Sequence, residues 1–479
     1  MIEFKSIEQM TQSRQDLSEH KSHHNLFLFF FFYLLFILPL PLGSNRPWAW
    51  SIGQVFVYGL LLCYAGFNWQ QTKNTISQNW FPIGIFIIVI GWVACQYVAM
   101  PLEWLTLLSP NSAEAYLRYG LEWGSITLDK EATLHSLLKL SGYLCVFVLG
   151  LSLIDTPKRV QLTLLFMVFA GTFNAFYGVF EILSGQDVSL IYAMQNNPRA
   201  NGTFVYHNHF ANFLMLCLSA GVGYFITTLS QTSFTSKKAY WQSWVYSLLE
   251  TKTVVRLCLA IMVIALVMSR SRMGNTAFFA SFLGVSLLYM FIGKHVPKGF
   301  KVLVISMLII DTFVLSTWFG LDELKTRVEN TSFTAENRDE VVRDALPIVT
   351  DYSFTGSGAG SFETTFEHYK SETINGYYDH AHNDYLQFTI EYGVPITLLL
   401  GILMVYMITL SIKLICNAHD KLVVGGAAAA LMAISGMLIH MSVDFPLLTP
   451  ANSSYFVLLL AIVCSLRTSF TAKQVDKLH

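Results

Sequence analysis

Long apolar runs separated by short polar breaks fill this chain. The runs at 26–42, 48–67, 81–100, 134–154, 160–183, 208–228, 253–269, 273–292, 300–320, 395–415, 422–443 and 450–467 are about 17–25 residues long, the length that crosses a bilayer as a helix. The pattern predicts an all-α polytopic membrane protein with about twelve transmembrane helices. Two polar segments are longer than simple connections. The first, 101–133, contains LSPNSAEAYLRYG and reads as a loop with a short amphipathic helix. The second, 321–383, is too long to be structureless inside a compact protein and reads as a lid or cap. Within it Val341, Val342, Ala345 and Leu346 have helical spacing. The expected layout is a tail (1–25), a membrane bundle (26–320) with its loop 101–133, a cap (321–394), C-terminal helices (395–467) and a second tail (468–479).

Lysine and arginine in the short loops set the expected orientation. They concentrate in the segments that are inside if the N-terminus is inside, so both termini are expected in the cytoplasm. The turn 44–50, the loop 196–210, SRSRMG (269–274), the cap and SVDFPL (442–447) then share the outer face, the periplasm of a Gram-negative cell. A transporter would place its polar residues near the bilayer midplane in matching halves, and there is no convincing internal repeat. Composition agrees with a membrane chain: 53% hydrophobic, 13% charged, net charge −1. No basic surface points to nucleic acid. About 25 polar residues precede the first apolar run, unlike a cleaved signal peptide. The seven cysteines fall in or beside apolar runs without CxxC spacing, so neither disulfides nor a cysteine-built metal site is expected.

Candidate chemistry centres on YYDHAHNDYLQFTIEYG, 377–393. Asp384 and Gln387 have capping-box spacing for a helix that ends at Gly393 before Pro395. His380 and His382 lie just ahead of that N-terminus, beside Asn383. The helix dipole there disfavours imidazolium, which leaves a neutral histidine able to accept a proton. The alternative is a polar loop entering a membrane helix. Arg270 and Arg272 sit at a span end, where they either snorkel to headgroups or clamp a phosphate bidentately. At helical spacing they diverge by about 200°, and Gly274 favours Arg272. Arg338 and Arg343 lie on the cap helix, Arg343 reading as a solvated charge. Arg199 and His209 form another candidate pair. Asn208 suits an N-cap, and His440 and Asp444 are one helical turn apart. The HxH pair could also bind zinc with Asp379 or His368, though no cluster completes a site. Gly356, Gly358 and Gly360 permit tight turns, but no Lys-Ser/Thr follows as a nucleotide loop requires.

Taken together, PLGSNRPWAW, GTFVYHNHFANFLML, SRSRMGN, NRDEVVRDALPIVTDYSFTGSGAGSF, HAHNDYLQFTIEYG and HMSVDFPLLTPA resemble the O-antigen ligase and Wzy-type polymerase superfamily. The resemblance runs in order along nearly the whole chain and is strongest from 196 to 451. It implies a GT-C-like membrane bundle with a periplasmic cap between two late spans. The implied reaction moves a glycan from an undecaprenyl-pyrophosphate donor to an acceptor hydroxyl, of the lipid A core or of another glycan, with no cofactor. His382 matches the family's histidine, Arg272 or Arg270 its membrane-edge arginine and Arg338 its outer-loop arginine. Val342 stands where members often carry Trp. Implied partners are the bilayer, the donor, the acceptor and polysaccharide assembly proteins. Ligase, polymerase and protein-glycosylating relatives share these motifs, so the residues do not separate them. The competing readings are a polysaccharide flippase and a non-catalytic assembly component.

Overall fold

The computed structural model describes residues 23–192, 198–228, 251–293, 296–319, 338–372, 374 and 376–475. In chain order its helices are α1 (His23–Ile37), α2 (Pro47–Phe67), α3 (Trp69–Gln78), α4 (Trp80–Tyr97), α5 (Leu102–Leu108), α6 (Pro110–Leu117), α7 (Lys130–Leu153), α8 (Pro157–Leu183), α9 (His207–Thr228), α10 (Thr251–Met268), α11 (Arg272–Ile292), α12 (Lys298–Phe319), α13 (Arg338–Asp351), α14 (Phe362–Phe366), α15 (Asp384–Tyr392), α16 (Val394–Asn417), α17 (Lys421–His440) and α18 (Pro450–Val475). Every one of the apolar runs contains a helix. Among the described residues nine helices are long and apolar enough to cross a membrane, and α1, α10 and α12 contribute shorter apolar stretches. The chain is an all-α polytopic membrane protein. Among the described residues the strands are a two-residue pair, β1 (Met100–Pro101) and β2 (Trp123–Gly124), antiparallel with Met100 opposite Gly124.

Local chemistry moves several boundaries. α7 starts at Lys130, ahead of its apolar run, because the Asp129 carboxylate accepts the Ala132 N–H at 2.9 Å. α17 stops at His440, so Asp444 lies in the following turn and not on one helix face with His440. The 101–133 segment holds two short helices instead of one, over a small core of Leu102, Leu105, Ala113 and Ile126.

Burial within the bundle is uneven. The apolar windows of α9 and α17 are 94% and 83% buried, against 22% for α2. In a bilayer, helices gain no hydrophobic advantage from each other, so close packing needs small side chains. Between α9 and α17 a Cβ on Gly223 would stand 2.5 Å from the Gly425 carbonyl oxygen. Ala427–Ala430 continue that smooth face, fully buried. α18 packs on α9 and α17, and these three helices bring polar residues to one end of the bundle.

The cap covers that end. α13 buries Val341, Ala345 and Ile348 against Phe362, Phe366 and Ile390, leaving Leu346 exposed. The glycine-rich segment threads between cap and bundle at positive φ, where L residues are strained. A Cβ on Gly358 (φ 112°) would sit 2.0 Å from Thr127 Oγ1. The loop's amides are already engaged: Ser357 N–H donates to the Ile390 carbonyl at 2.8 Å and Ala359 N–H to Gln96 Oε1 at 3.1 Å. Gln96 Nε2 donates in turn to the carbonyls of Thr355 and Glu391, tying α4 to the cap.

Candidate active site

Polar residues inside a membrane bundle need partners, and those at the cap end find one another. From α9, Asn208 Nδ2 donates to Asp444 Oδ2 at 2.5 Å, and Asn212 Nδ2 meets His440 Nδ1 at 3.1 Å. From α18, Asn452 Nδ2 donates to the His209 carbonyl at 3.0 Å. Asp444 is the hub, 1% exposed at its side chain, with His382 Nδ1 3.8 Å from Oδ1 and His440 Nε2 3.9 Å from Oδ2. Burial alone would raise the Asp444 carboxyl. His382, His209, His440 and the Phe445 N–H outweigh it and hold the group well below the usual carboxylate range, so it stays charged.

His382 stands in the left-handed region, φ 49°, a conformation that costs a non-glycine residue roughly 1–3 kcal/mol. Its neighbours fix it. Asn383, and not Asp384, is the N-cap of α15, accepting the Leu386 N–H at 3.1 Å. Asp384 is the first helical residue, fully buried, and its N–H donates to the carbonyls of Met441 and Asp444 while Oδ2 accepts the Leu447 N–H. Burial pushes the Asp384 carboxyl well up, and its hydrogen bonds pin α15 to the 441–447 turn. Gln387 reaches back to accept the Ala381 N–H at 3.1 Å, three residues ahead of the Asp384 N–H that a capping box would use. The group facing His382 is therefore a carboxylate, and the helix dipole is shared with a proper cap. The side chain keeps 19% exposure.

Phe445 packs the rings together. Its centroid is 4.2 Å from His380, 4.8 Å from His209 and 5.0 Å from His382, and Tyr206 stacks on it at 6.1 Å. Burial pushes His380 down to about 4, with the charges of His382 and Lys139 adding and Asp379 opposing. Gln387 Nε2 joins His380 Nδ1 (3.2 Å) to Glu391 (2.8 Å). Burial raises the Glu391 carboxyl to about 7, against the Gly360 and Phe362 amides, Gln387 and Lys139. The glycine loop thus cradles the chain's own carboxyl in the way a nucleotide loop cradles phosphate.

The arginines are arranged differently from a helical pair. Ser269–Ser271 break the chain between α10 and α11, and Arg270 adopts φ 53°. Arg270 is half-buried and Arg272, first residue of α11, is exposed. Gly274 admits a neighbouring helix, since its Cβ would lie 2.5 Å from that of Ala211. The Ala200 N–H donates to the Met268 carbonyl at 3.0 Å, bringing Arg199 to the rim that carries Arg270. Arg199 Nη1 meets His207 Nε2 at 2.9 Å, so its partner is His207, not His209. Asn208 is inside α9 and does not cap it. Arg338 opens α13, and its side chain falls outside the described residues. Arg343 is solvated beside Asp344. His368 turns to the Thr364 carbonyl, and among the described residues no three His, Cys, Asp or Glu side chains gather as a metal group.

Asn212, Asn452, Phe445 and Glu391 are site residues that sequence reading passed over. The asparagines had a signal: each interrupts an apolar run, Asn212 one turn beyond Asn208. Phe445 had none, because one more aromatic in this chain marks nothing.

Residues 257–401 match the family model described as O-antigen ligase, a stretch that holds Arg270, Arg272, His380 and His382. No curated protein matches the chain. The chain thus carries, within a bundle of apolar helices, a stretch similar to the O-antigen ligase family.

Proposed function

We propose that this protein transfers a glycan from a polyprenyl-pyrophosphate donor to an acceptor hydroxyl at the outer face of the bacterial inner membrane, with His382 as the base. The observation that carries the reading is the His382–Asp444 pair: a partly exposed imidazole whose inner nitrogen faces a buried, charged carboxylate. A histidine so placed can take a proton from a hydroxyl, and the carboxylate stabilises the imidazolium that results. The acceptor oxygen attacks the anomeric carbon, forming the new glycosidic bond. The bond from that carbon to the phosphate oxygen breaks, its electron pair leaving with the polyprenyl pyrophosphate, while the hydroxyl proton passes to His382. Pyrophosphate leaves as an anion, so no strong acid or metal is needed. Arg199 and Arg270, on one rim, would bind its charge as it develops. A reporter fused near residue 350 should be active only outside the cytoplasm.

The test is transfer by purified protein with a lipid-linked donor and an acceptor, in EDTA. Wild type should be active and His382→Ala inactive with normal donor binding, while His380→Ala loses much less. Transfer by His382→Ala near the wild-type rate, or wild type silenced by the chelator, would remove this reading.

A further inference from the structure

Lys139 is an ammonium that the mechanism does not use. It lies on α7 about two and a half turns, roughly 14 Å, from the cap end, inside an apolar helix. Its Nζ sits 5.3 Å over the Trp50 ring, and among the described residues no carboxylate comes within ion-pair distance of it. An intramembrane cation without an ion-pair partner is costly and calls for a reason. It faces a cleft between α1, α2, α7 and α18, apolar at Leu38 and Val146 and polar at Gln54, Lys139 and Ser454. Apolar walls meeting one fixed cation match an anionic lipid, tail against the walls and phosphate on the ammonium.

The cleft is also placed for the reaction. Lys139 acts electrostatically on His380 and Glu391, and His380 shares the Phe445 ring with His382. It approaches that centre from another side than the arginines. Arg199 and Arg270 belong to the α8–α9–α10 side, whereas α7 packs on α2, α4 and α18. A base between two membrane-bound reactants needs each delivered from its own side.

We propose that this cleft binds the phosphate of the acceptor lipid, with Lys139 as its cation and the acceptor glycan reaching His382 opposite the donor; this rests on the transfer reading. Either a polyprenyl-phosphate glycan or a phosphorylated acyl glycolipid has the required chemistry.

Full-length protein in neutral nanodiscs, analysed by native mass spectrometry, would be titrated with undecaprenyl phosphate, a phosphorylated acyl disaccharide, phosphatidylglycerol and inorganic phosphate. One of the first two should bind most tightly and so identify the acceptor class. Lys139→Met should weaken it about tenfold or more, and Lys139→Arg should restore most of the loss. Val146→Phe, which fills the apolar half and keeps the charge, should weaken it too. In transfer assays Lys139→Met should raise KM for the acceptor while donor KM and kcat stay within about threefold. Unchanged lipid binding in both Lys139→Met and Val146→Phe, or a rise confined to donor KM, would overturn the proposal. So would stability lost in Lys139→Met and regained by adding Glu391→Gln with lipid affinity unaltered, which would make Lys139 only a counter-charge. If wild type transfers nothing, the transfer reading fails, while the binding measurements still decide the cleft.

Discussion

His382 Nδ1 lies 3.8 Å from Asp444 Oδ1, the oxygen that also accepts the Phe445 N–H at 2.9 Å. That separation is longer than a hydrogen bond, and on the proposed mechanism it should close as the imidazole takes a proton and the pair becomes charge-assisted. Asp444→Asn keeps shape and the Phe445 contact but removes the charge. Turnover should fall by roughly two to four orders of magnitude with donor affinity near wild type, while the new amide, set against the Asn208 Nδ2 donor, should lower thermal stability. Steady-state kinetics on purified protein decides it. A loss below about fivefold would mean that Asp444 serves the fold alone.

The rim arginines separate by burial. Arg270 is half-buried, Arg272 exposed, and the Ala200–Met268 hydrogen bond ties the segment that carries Arg199 to the end of α10 just before Arg270. Lysine preserves charge and loses the bidentate fork. Arg199→Lys and Arg270→Lys should each cut kcat/KM by about tenfold or more, and Arg272→Lys by much less. Equal losses at Arg270 and Arg272 would show that exposure does not choose between them.

Hydropathy made the helices legible because a bilayer admits few alternatives to a long apolar helix. The polar end was legible for the same reason: His382, Asp444, Asn208 and Arg270 stand out against an apolar background. Partner choice was not. His440 and Asp444 read as one helix face, yet α17 ends between them and Asp444 turns to His382 and Asn208 as well. Arg270 and Arg272 read as helical neighbours, yet a positive φ breaks the helix there. The Asp384–Gln387 spacing suggested the wrong cap by one residue, because Asn383 is equally able to accept an N–H. Each miss is tertiary packing deciding among local options of similar energy.

Glu391 makes a prediction about pH. Burial raises its carboxyl from 4.5 to about 7, so the folded state favours the neutral acid. The stability it contributes is fully present below pH 4.5 and is lost as pH climbs through about 7. Glu391→Gln stays neutral and keeps an acceptor for the Gly360 and Phe362 amides. The variant should gain on wild type as pH rises from 5 to 8, by about 1–3 kcal/mol. His380, depressed to about 4, acts the opposite way, losing stability as pH falls, but it is common to both proteins and cancels in the difference. Thermal melts in detergent at matched pH measure this. A difference that does not change with pH would mean that Glu391 is already charged when folded.

Phe445 supports the last prediction, because one residue fixes both halves of the pair. Its N–H holds Asp444 Oδ1 at 2.9 Å, and its ring lies 5.0 Å from His382 and 4.2 Å from His380. Phe445→Leu keeps the N–H and most of the apolar volume but removes the flat surface against which the imidazoles pack. His382 should then sample more orientations, and turnover should fall about tenfold, since small misplacements of a base are expensive. Water admitted beside His380 relieves the burial that holds its imidazole near 4, so its titration should move upward. That gives the variant a signature that mere destabilisation lacks: the His380 NMR signal should titrate closer to neutral pH than in wild type. Phe445→Trp retains an aromatic face and should recover a good part of the rate, whereas Phe445→Ile should not. If Leu and Trp variants are equally active and His380 titrates as in wild type, the ring only fills space, and His382 is oriented by its own backbone and Asp444 alone.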